Sequence, residues 1–164
     1  MTPRLHIITG AVNAGKTSRM KELYRLTPDA DGYLSEKVFS GGVSLGYRLV
    51  RLRGGEGRLL ALTKEAYHGQ YREACRLGSF IFSQEAFSFG IQGLLSLYRD
   101  DTVTSIFLDE AGPLELGGQG FARILPVLLH GGKDIYLTVR CACLEQFLIG
   151  FDIGDHELIT VPDP

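Results

Sequence analysis

The chain reads Gly10-Ala11-Val12-Asn13-Ala14-Gly15-Lys16-Thr17 near its start, and this stretch decides its fold. It matches the pattern G-x-x-x-x-G-K-[ST] at every fixed position. Residues 5–9 before it are an apolar, β-branched run that predicts a buried strand, and residues 18–26 after it have the apolar spacing of a helix. A strand, a glycine-rich loop and a helix in this order favour a loop that binds the phosphates of a nucleoside triphosphate.

Each fixed position of the pattern has a physical reason. Gly10 and Gly15 allow backbone conformations and close approaches that a Cβ atom would block. The loop amides can then converge on phosphate oxygens at the positive end of a helix. Lys16 is expected to reach the β- and γ-phosphates, and the Thr17 hydroxyl is expected to ligate Mg²⁺. The alternative is a glycine-rich turn with a chance lysine, and the two flanking elements argue against it.

Composition and charge restrict the class of protein. A length of 164 residues with 45% hydrophobic content suits a single domain, residues 1–164. No apolar run is long enough to cross a bilayer, and the first residues do not resemble a secretory signal, so we expect a cytoplasmic protein. Three cysteines without a CxxC pair disfavour both disulfides and a cysteine zinc site. A net charge of −2 gives no reason to expect nucleic acid as a partner.

The region after the first helix has the pattern of short antiparallel strands. Runs of strand-like residues separated by glycine pairs predict a β-meander inserted at about residues 32–62. Residues 63–78 show no firm periodicity and are expected to form a loop or a short helix. The arginines of the meander are expected to protect its edge rather than to contact the nucleotide; they are Arg48, Arg51, Arg53 and Arg58.

The second half alternates between helices and buried strands. Helices are predicted from Ser83, its N-cap, to about Asp100, over residues 119–130 and around residues 144–151, and strands over residues 103–108, 135–139 and 157–161. This alternation predicts an α/β fold of three layers, with a mainly parallel sheet between two layers of helices.

An apolar strand that ends in Asp109-Glu110 has the form of a Walker B element. At the carboxyl end of its strand, Asp109 is expected to bind Mg²⁺ together with Thr17. Glu110 is expected to act as the general base toward the attacking water, the alternative being a cap of the next turn. Thr138 and Arg140 close the following strand, where both could lie near the γ-phosphate. For Arg140, a catalytic role and a surface ion pair are equally consistent with the sequence.

Residues 109–116, Asp-Glu-Ala-Gly-Pro-Leu-Glu-Leu, resemble the D-E-I-G-K-M-E-L signature of a nucleoside-triphosphatase family known from thermophiles, which has a human cancer-related member. Residues 32–38, 46–49 and 78–80 are similar to further family motifs in the same order. The resemblance implies a RecA-like P-loop fold and Mg²⁺-dependent hydrolysis of nucleoside triphosphates. It assigns nucleotide binding to Gly10 through Thr17, and the metal and base roles to Asp109 and Glu110.

Other positions match the family without a derivable role, or depart from it. Glu36 and Glu115 match family acids, and Glu36 is expected near the nucleotide. The lysine of the signature is Pro113 here, and the second glutamate of G-F-x-T-E-E is Lys37. The chain also stops at Pro164, where the family usually continues through an E-N-R-containing segment.

Two other functions use the same loop. One is a nucleotide or small-molecule kinase, although no arginine-rich lid or acceptor motif is present. The other is a nucleotide-binding switch with little turnover. The sequence contains no guanine-reading N-K-x-D motif and indicates neither a base preference nor a protein partner.

Overall fold

A computed structural model describes residues 2–163, so the two ends of the predicted domain, Met1 and Pro164, lie outside the described residues. Within residues 2–163, nine strands form one mixed sheet in the order β5-β6-β4-β3-β2-β7-β8-β1-β9. Their bounds are β1 Leu5–Gly10, β2 Ala30–Ser40, β3 Val43–Arg51, β4 Gly57–Thr63, β5 Glu73–Leu77, β6 Phe80–Ser83, β7 Ser105–Ala111, β8 Asp134–Arg140 and β9 Glu157–Thr160.

The sheet has a parallel half and an antiparallel half that share β2. Strands β2, β7, β8, β1 and β9 pair in parallel. Strands β2, β3, β4, β6 and β5 pair antiparallel. The antiparallel half is therefore as large as the parallel half, and it extends the same sheet sideways.

Helices cover both faces of the sheet and give the predicted three layers. The helices are α1 Lys16–Leu26, α2 Gln84–Arg99, α3 Pro113–Leu116, α4 Leu125–Leu129 and α5 Leu144–Gly150. One face packs on α1, where Met20 meets Ile8 and Phe107 of the sheet. The other face packs on α2, α4 and α5 through a larger core. Ser83 caps α2 as predicted, because its hydroxyl accepts a hydrogen bond from the Ala86 amide at 3.1 Å.

The prediction of a loop or short helix over residues 63–78 was wrong for its last part. Residues 73–77 form β5, an edge strand that pairs with β6. Only Cys75 is buried in this strand, so it carries no alternating apolar pattern. Pairing with β6 defines the strand, and one chain's local pattern does not show that pairing.

The predicted helix over residues 119–130 was also wrong in its extent. Only Leu125–Leu129 are helical there, and residues 117–124 form turns. Pro126 cannot donate a hydrogen bond and its ring excludes the preceding helical turn, while Gly120 has a φ of 63°. The apolar spacing misled the prediction because the turns themselves bury Phe121 and Ile124.

The strand order determines which side chains can meet. Strand β8 lies between β1 and β7. Strand β1 leads into the loop of residues 10–17, here called the phosphate loop, and β7 carries Asp109. Parallel strands bring their carboxyl ends to one edge of the sheet, and ligands of such sheets bind outside that edge. Among residues 2–163, none of the helices has the length and apolarity needed to span a bilayer.

Candidate nucleotide-binding site

The phosphate loop joins β1 to α1 in the predicted way. Gly15 is the N-cap of α1 and has a φ of 98°, a left-handed conformation that side chains other than glycine rarely adopt. The Lys16 ammonium group donates to the carbonyl oxygens of Gly10, at 3.2 Å, and Ala11, at 2.7 Å. The loop carbonyl oxygens therefore hold the Lys16 ammonium group at the amino end of α1.

Asp109 is the buried carboxylate of the site, with 1% of its surface exposed. The Thr17 hydroxyl donates to Oδ2 at 2.8 Å, and the Ser35 amide donates to the same oxygen at 3.1 Å. The Thr138 hydroxyl donates to Oδ1 at 2.5 Å. Three elements, α1, β2 and β8, thus fix the orientation of one side chain of β7.

A β-bulge separates the tasks of the two neighbouring acids. Leu108 pairs with Leu137 and Ala111 pairs with Val139, so β7 has one more residue than β8 over this interval. Glu110 adopts a φ of 65°, an uncommon backbone conformation for a non-glycine residue. The Glu110 amide donates to the Thr138 hydroxyl at 2.6 Å. Asp109 therefore lies buried while Glu110 is exposed at the edge of the sheet.

This arrangement corrects the expected place of Thr138. The sequence allowed its hydroxyl to lie near a γ-phosphate. In the structure Thr138 is fully buried, and its hydroxyl both donates to Asp109 and accepts from the Glu110 amide. Thr138 therefore holds the bulge and the carboxylate. Its strand register opposite the two acids was the signal for this role, and a single sequence does not show that register.

The charges of the site perturb one another. Desolvation raises the pKa of Asp109, against the hydrogen bonds from Thr138, Thr17 and the Ser35 amide. Desolvation in the cleft and the Asp109 charge raise the pKa of Glu110, while Arg140, Lys16 and Lys37 oppose the rise. Desolvation also lowers the pKa of Lys16, against the attraction of Glu110. Perturbed groups of opposite charge at one sheet edge are typical of functional sites.

Arg140 lies beside the phosphate loop. It ends β8 and is the register partner of Gly10 on β1. Its side chain is half-buried and lines the cleft with Lys16 and Glu110. Among the described residues it makes no ion pair, so the structure does not support the surface ion pair that the sequence left open.

An open cleft of about 470 Å³ extends from the loop to the end of β2. At its rim the Lys37 ammonium donates to the Asn13 side chain at 2.6 Å, and Glu36 pairs with Lys21 of α1 at 3.2 Å. Glu36 therefore lies at the cleft. Loop residues Val12, Asn13 and Gly15 also line it, whereas Ala14 donates its amide to the Ala11 carbonyl in the turn beneath.

Glu115 supports the loop that follows the acids. It is 4% exposed, and its carboxylate accepts from the amides of Gly112, at 2.8 Å, and Phe121, at 3.0 Å. Burial raises the pKa of Glu115 to about 7. A Cβ atom on Gly120 would lie 2.2 Å from this carboxylate, which explains the glycine. Glu115 thus fixes residues 112–121, and Pro113 begins α3 within that segment.

The meander arginines do not line the cleft. Arg51 makes two bonds to Asp31 at 2.8 and 2.9 Å, and Arg53 donates its amide to the same carboxylate. Arg58 stacks on Phe89 at 4.5 Å. Asp31 belongs to the start of β2, opposite the edge that holds Asp109, so Arg51 and Arg53 stabilise the fold there.

The donor set fits a small hard cation. The Thr17 hydroxyl and the Asp109 carboxylate are adjacent oxygen donors at the loop, and Mg²⁺ prefers one or two carboxylates together with phosphate oxygens and water. Within the described part of the chain, no cluster of three His, Cys, Asp or Glu is arranged to hold a metal. The residues therefore suit a cation that arrives with a phosphate ligand.

Comparisons with known proteins agree with this geometry. The model of a family described as NTPase matches residues 6–161. Nucleoside-triphosphatase THEP1 of Thermotoga sp. (strain RQ2) is 27% identical over 135 residues, which cover 82% of this chain and 72% of that protein. The crystal structure of THEP1 from Aquifex aeolicus superposes with a TM-score of 0.71 at 19% identity, covering 96% of this chain and 89% of that one. The solution structure of a human cancer-related nucleoside triphosphatase has the same TM-score at 23% identity, covering 97% and 89%. These two likenesses show the fold.

Proposed function

This chain belongs to the NTPase family and is a hydrolase of nucleoside triphosphates, and we propose how its residues carry out that reaction. The triphosphate binds along the loop Gly10–Thr17 with Mg²⁺, and the products are the diphosphate and phosphate. The contact that carries this proposal is the 2.8 Å hydrogen bond from Thr17 to Asp109, because it joins the phosphate loop to the acid pair.

The loop and its cations hold the phosphates. Loop amides at the amino end of α1 bind phosphate oxygens, and Lys16 exchanges its carbonyl partners for the β- and γ-phosphates. Arg140, register partner of Gly10, stabilises the charge that develops on the transferred phosphoryl group. Thr17 and Asp109 would hold Mg²⁺, which when bound neutralises phosphate charge and orients the phosphate oxygens.

Glu110 prepares the attacking water. Its side chain is exposed in the cleft beside the buried Asp109, so it is accessible to water. Its raised pKa makes it a better proton acceptor near neutral pH than an ordinary glutamate. The positive φ is a cost that the Thr138 hydrogen bond helps to offset, and it directs the side chain away from the core.

We propose a cytoplasmic location, since Cys75, Cys141 and Cys143 are all free thiols, as is usual in a reducing compartment. We also propose that nucleic acid is not a partner, because the net charge of −2 gives it no electrostatic reason to bind.

The test is Glu110→Gln. Because the amide cannot accept the proton, phosphate release should fall about 10²–10⁴-fold, while binding of a fluorescent non-hydrolysable triphosphate stays within about threefold. The chain has no tryptophan, so the label is carried by the nucleotide. Glu145→Gln is the matched control, an exposed glutamate of α5 that does not line the cleft.

Three outcomes contradict parts of the proposal. Phosphate release by Glu110→Gln at the wild-type rate excludes Glu110 as the base. Hydrolysis that persists in EDTA excludes the cation. Phosphate transfer to an added acceptor without free phosphate would replace hydrolysis by a kinase reaction.

A further inference from the structure

Three hydroxyl-bearing residues surround the Asp109 carboxylate, and they differ in how their hydroxyls are used. Thr17 donates its hydroxyl to Oδ2. Thr138 uses its hydroxyl twice, as a donor to Oδ1 and as an acceptor from the Glu110 amide. The third residue, Ser35 of β2, contacts Oδ2 through its backbone amide at 3.1 Å.

The Ser35 hydroxyl is buried without a partner. The residue is 5% exposed, and its Oγ atom has no hydrogen-bond partner among residues 2–163. Buried hydroxyls are nearly always paired, because leaving one unpaired forfeits its hydrogen bonds to water. An unpaired hydroxyl beside an acid of the site therefore indicates a missing partner.

The position of Ser35 indicates where that partner lies. Ser35 lines the open cleft together with Lys16, Thr17 and Glu110. It also lines the small cavity behind Asp109. Its Oγ atom is three bonds from the amide nitrogen that contacts Asp109 Oδ2, the oxygen that Thr17 also contacts. The free hydroxyl thus belongs to the same corner of the cleft as the two proposed cation donors.

We propose that the Ser35 hydroxyl is a third oxygen donor to the divalent cation site, as a ligand or through a bound water. The inference rests on the proposed function, since it needs a cation at Thr17 and Asp109. A cation complements this corner better than a phosphate oxygen does, because the adjacent Asp109 carboxylate attracts the first and repels the second. Hydroxyl oxygens are also hard donors of the kind that Mg²⁺ accepts.

As such a donor, Ser35 couples the cation to the nucleotide. The strand order places β2 on the side of β7 away from β8 and β1. Ser35 therefore approaches Asp109 from the side opposite the strand of the phosphate loop. Its hydroxyl should strengthen nucleotide binding only when the cation is present.

The experiment measures that coupling by binding. A fluorescent β,γ-imido triphosphate is titrated into the full chain, once with Mg²⁺ and once with EDTA, and the ratio of the two Kd values is taken. Ser35→Ala removes the hydroxyl and keeps the amide that bonds Asp109. We expect the Mg²⁺-dependent gain in affinity to fall about tenfold or more, as for other residues that support a metal ligand, with the Kd in EDTA within about twofold of wild type.

Two further variants identify the cause. Ser35→Thr keeps a hydroxyl and should restore the Mg²⁺-dependent gain to within about threefold of wild type. Ser105→Ala is the matched control, a buried serine at the opposite end of the neighbouring strand β7, and should leave the gain unchanged.

The outcomes distinguish this inference from the proposed function. An unchanged Mg²⁺-dependent gain in Ser35→Ala overturns the inference and leaves the proposed function intact. Equal weakening with Mg²⁺ and with EDTA also overturns it, because the hydroxyl would then contact phosphate or only support the fold. A wild-type protein with no Mg²⁺-dependent gain would overturn the cation part of the proposed function itself.

Discussion

Replacing Thr138 by valine tests the arrangement around the two acids most directly. Valine has the same shape as threonine and suits a buried strand, so the change removes a hydroxyl with little effect on packing. Two hydrogen bonds disappear: the donor to Asp109 Oδ1 and the acceptor for the Glu110 amide.

The expected cost follows from the surroundings of each bond. The bond to Asp109 is buried and has a charged acceptor, so losing it should lower the free energy of unfolding by about 2 kcal/mol. The Glu110 amide is partly buried and can recover some hydration, so its loss is about 1 kcal/mol. The free energy of unfolding should therefore fall by about 3 kcal/mol, which for a chain of this length lowers Tm by roughly 6–12 °C.

The same change should reduce turnover. Asp109 would keep its bonds from Thr17 and the Ser35 amide but lose the one that fixes Oδ1. Residues that orient a metal ligand typically affect activity by 10–100-fold, and we expect a fall in phosphate release in that range.

Urea unfolding and phosphate release measure the two effects. Thr138→Ser keeps the hydroxyl and should remain within about 1 kcal/mol of wild type. Thr160→Val makes the same substitution at an exposed position of β9 and should change stability by less than about 0.5 kcal/mol. If Thr138→Val is as stable as Thr138→Ser, the hydroxyl does not hold the bulge and the reasoning fails.

Three further predictions concern groups around the site and at the opposite sheet edge. Because burial raises the pKa of Glu115 from 4.5 to about 7, this group binds a proton more tightly in the folded chain, so its contribution to stability is present at low pH and is lost as pH rises through about 7. Urea unfolding should show a free energy of unfolding about 2–3 kcal/mol lower at pH 8 than at pH 5, a difference that Glu115→Gln removes, and equal pH dependence in both proteins would contradict this prediction. Lys37→Glu breaks the hydrogen bond to Asn13 and adds a negative charge to the cleft, so KM for the triphosphate should rise about tenfold in steady-state assays. An unchanged KM would place Lys37 outside the binding site. Arg51→Ala leaves the fully buried Asp31 without its main partner, so the free energy of unfolding measured in urea should fall by about 2 kcal/mol, less than for a wholly buried pair because Arg51 is partly exposed. The kcat should stay unchanged, and a parallel loss of kcat would show that the two sheet edges are coupled.

The parts of the fold that the sequence predicts are those with local signals. The phosphate loop has a fixed pattern between a buried strand and a helix, and Ser83 caps a helix with a regular apolar face. Strand β5 lacks such a signal, because it is an exposed edge strand defined by its neighbour. The turns at residues 117–124 imitate a helical pattern, since they bury apolar side chains without the continuous series of i→i−4 hydrogen bonds that a helix has.

The site divides in the same way. Lys16, Thr17, Asp109 and Glu110 were predicted from motifs, and the fold brings them to one edge of the sheet. The partners that orient them were not predicted as such. Ser35 and Thr138 reach Asp109 from strands on either side of β7, so their contacts depend on strand order and register. A single chain carries little information on either.

The bulge in β7 also limits how the length of this segment can change. With one residue fewer between Leu108 and Ala111, β7 would pair regularly with β8, and a single residue would stand opposite Thr138. Two neighbouring acids on a regular strand would project to opposite faces of the sheet, and only one of them could serve the cleft. Deletions and insertions here should therefore abolish the acid pair even where the sheet survives, so that the number of residues in this segment matters to function as much as their identity.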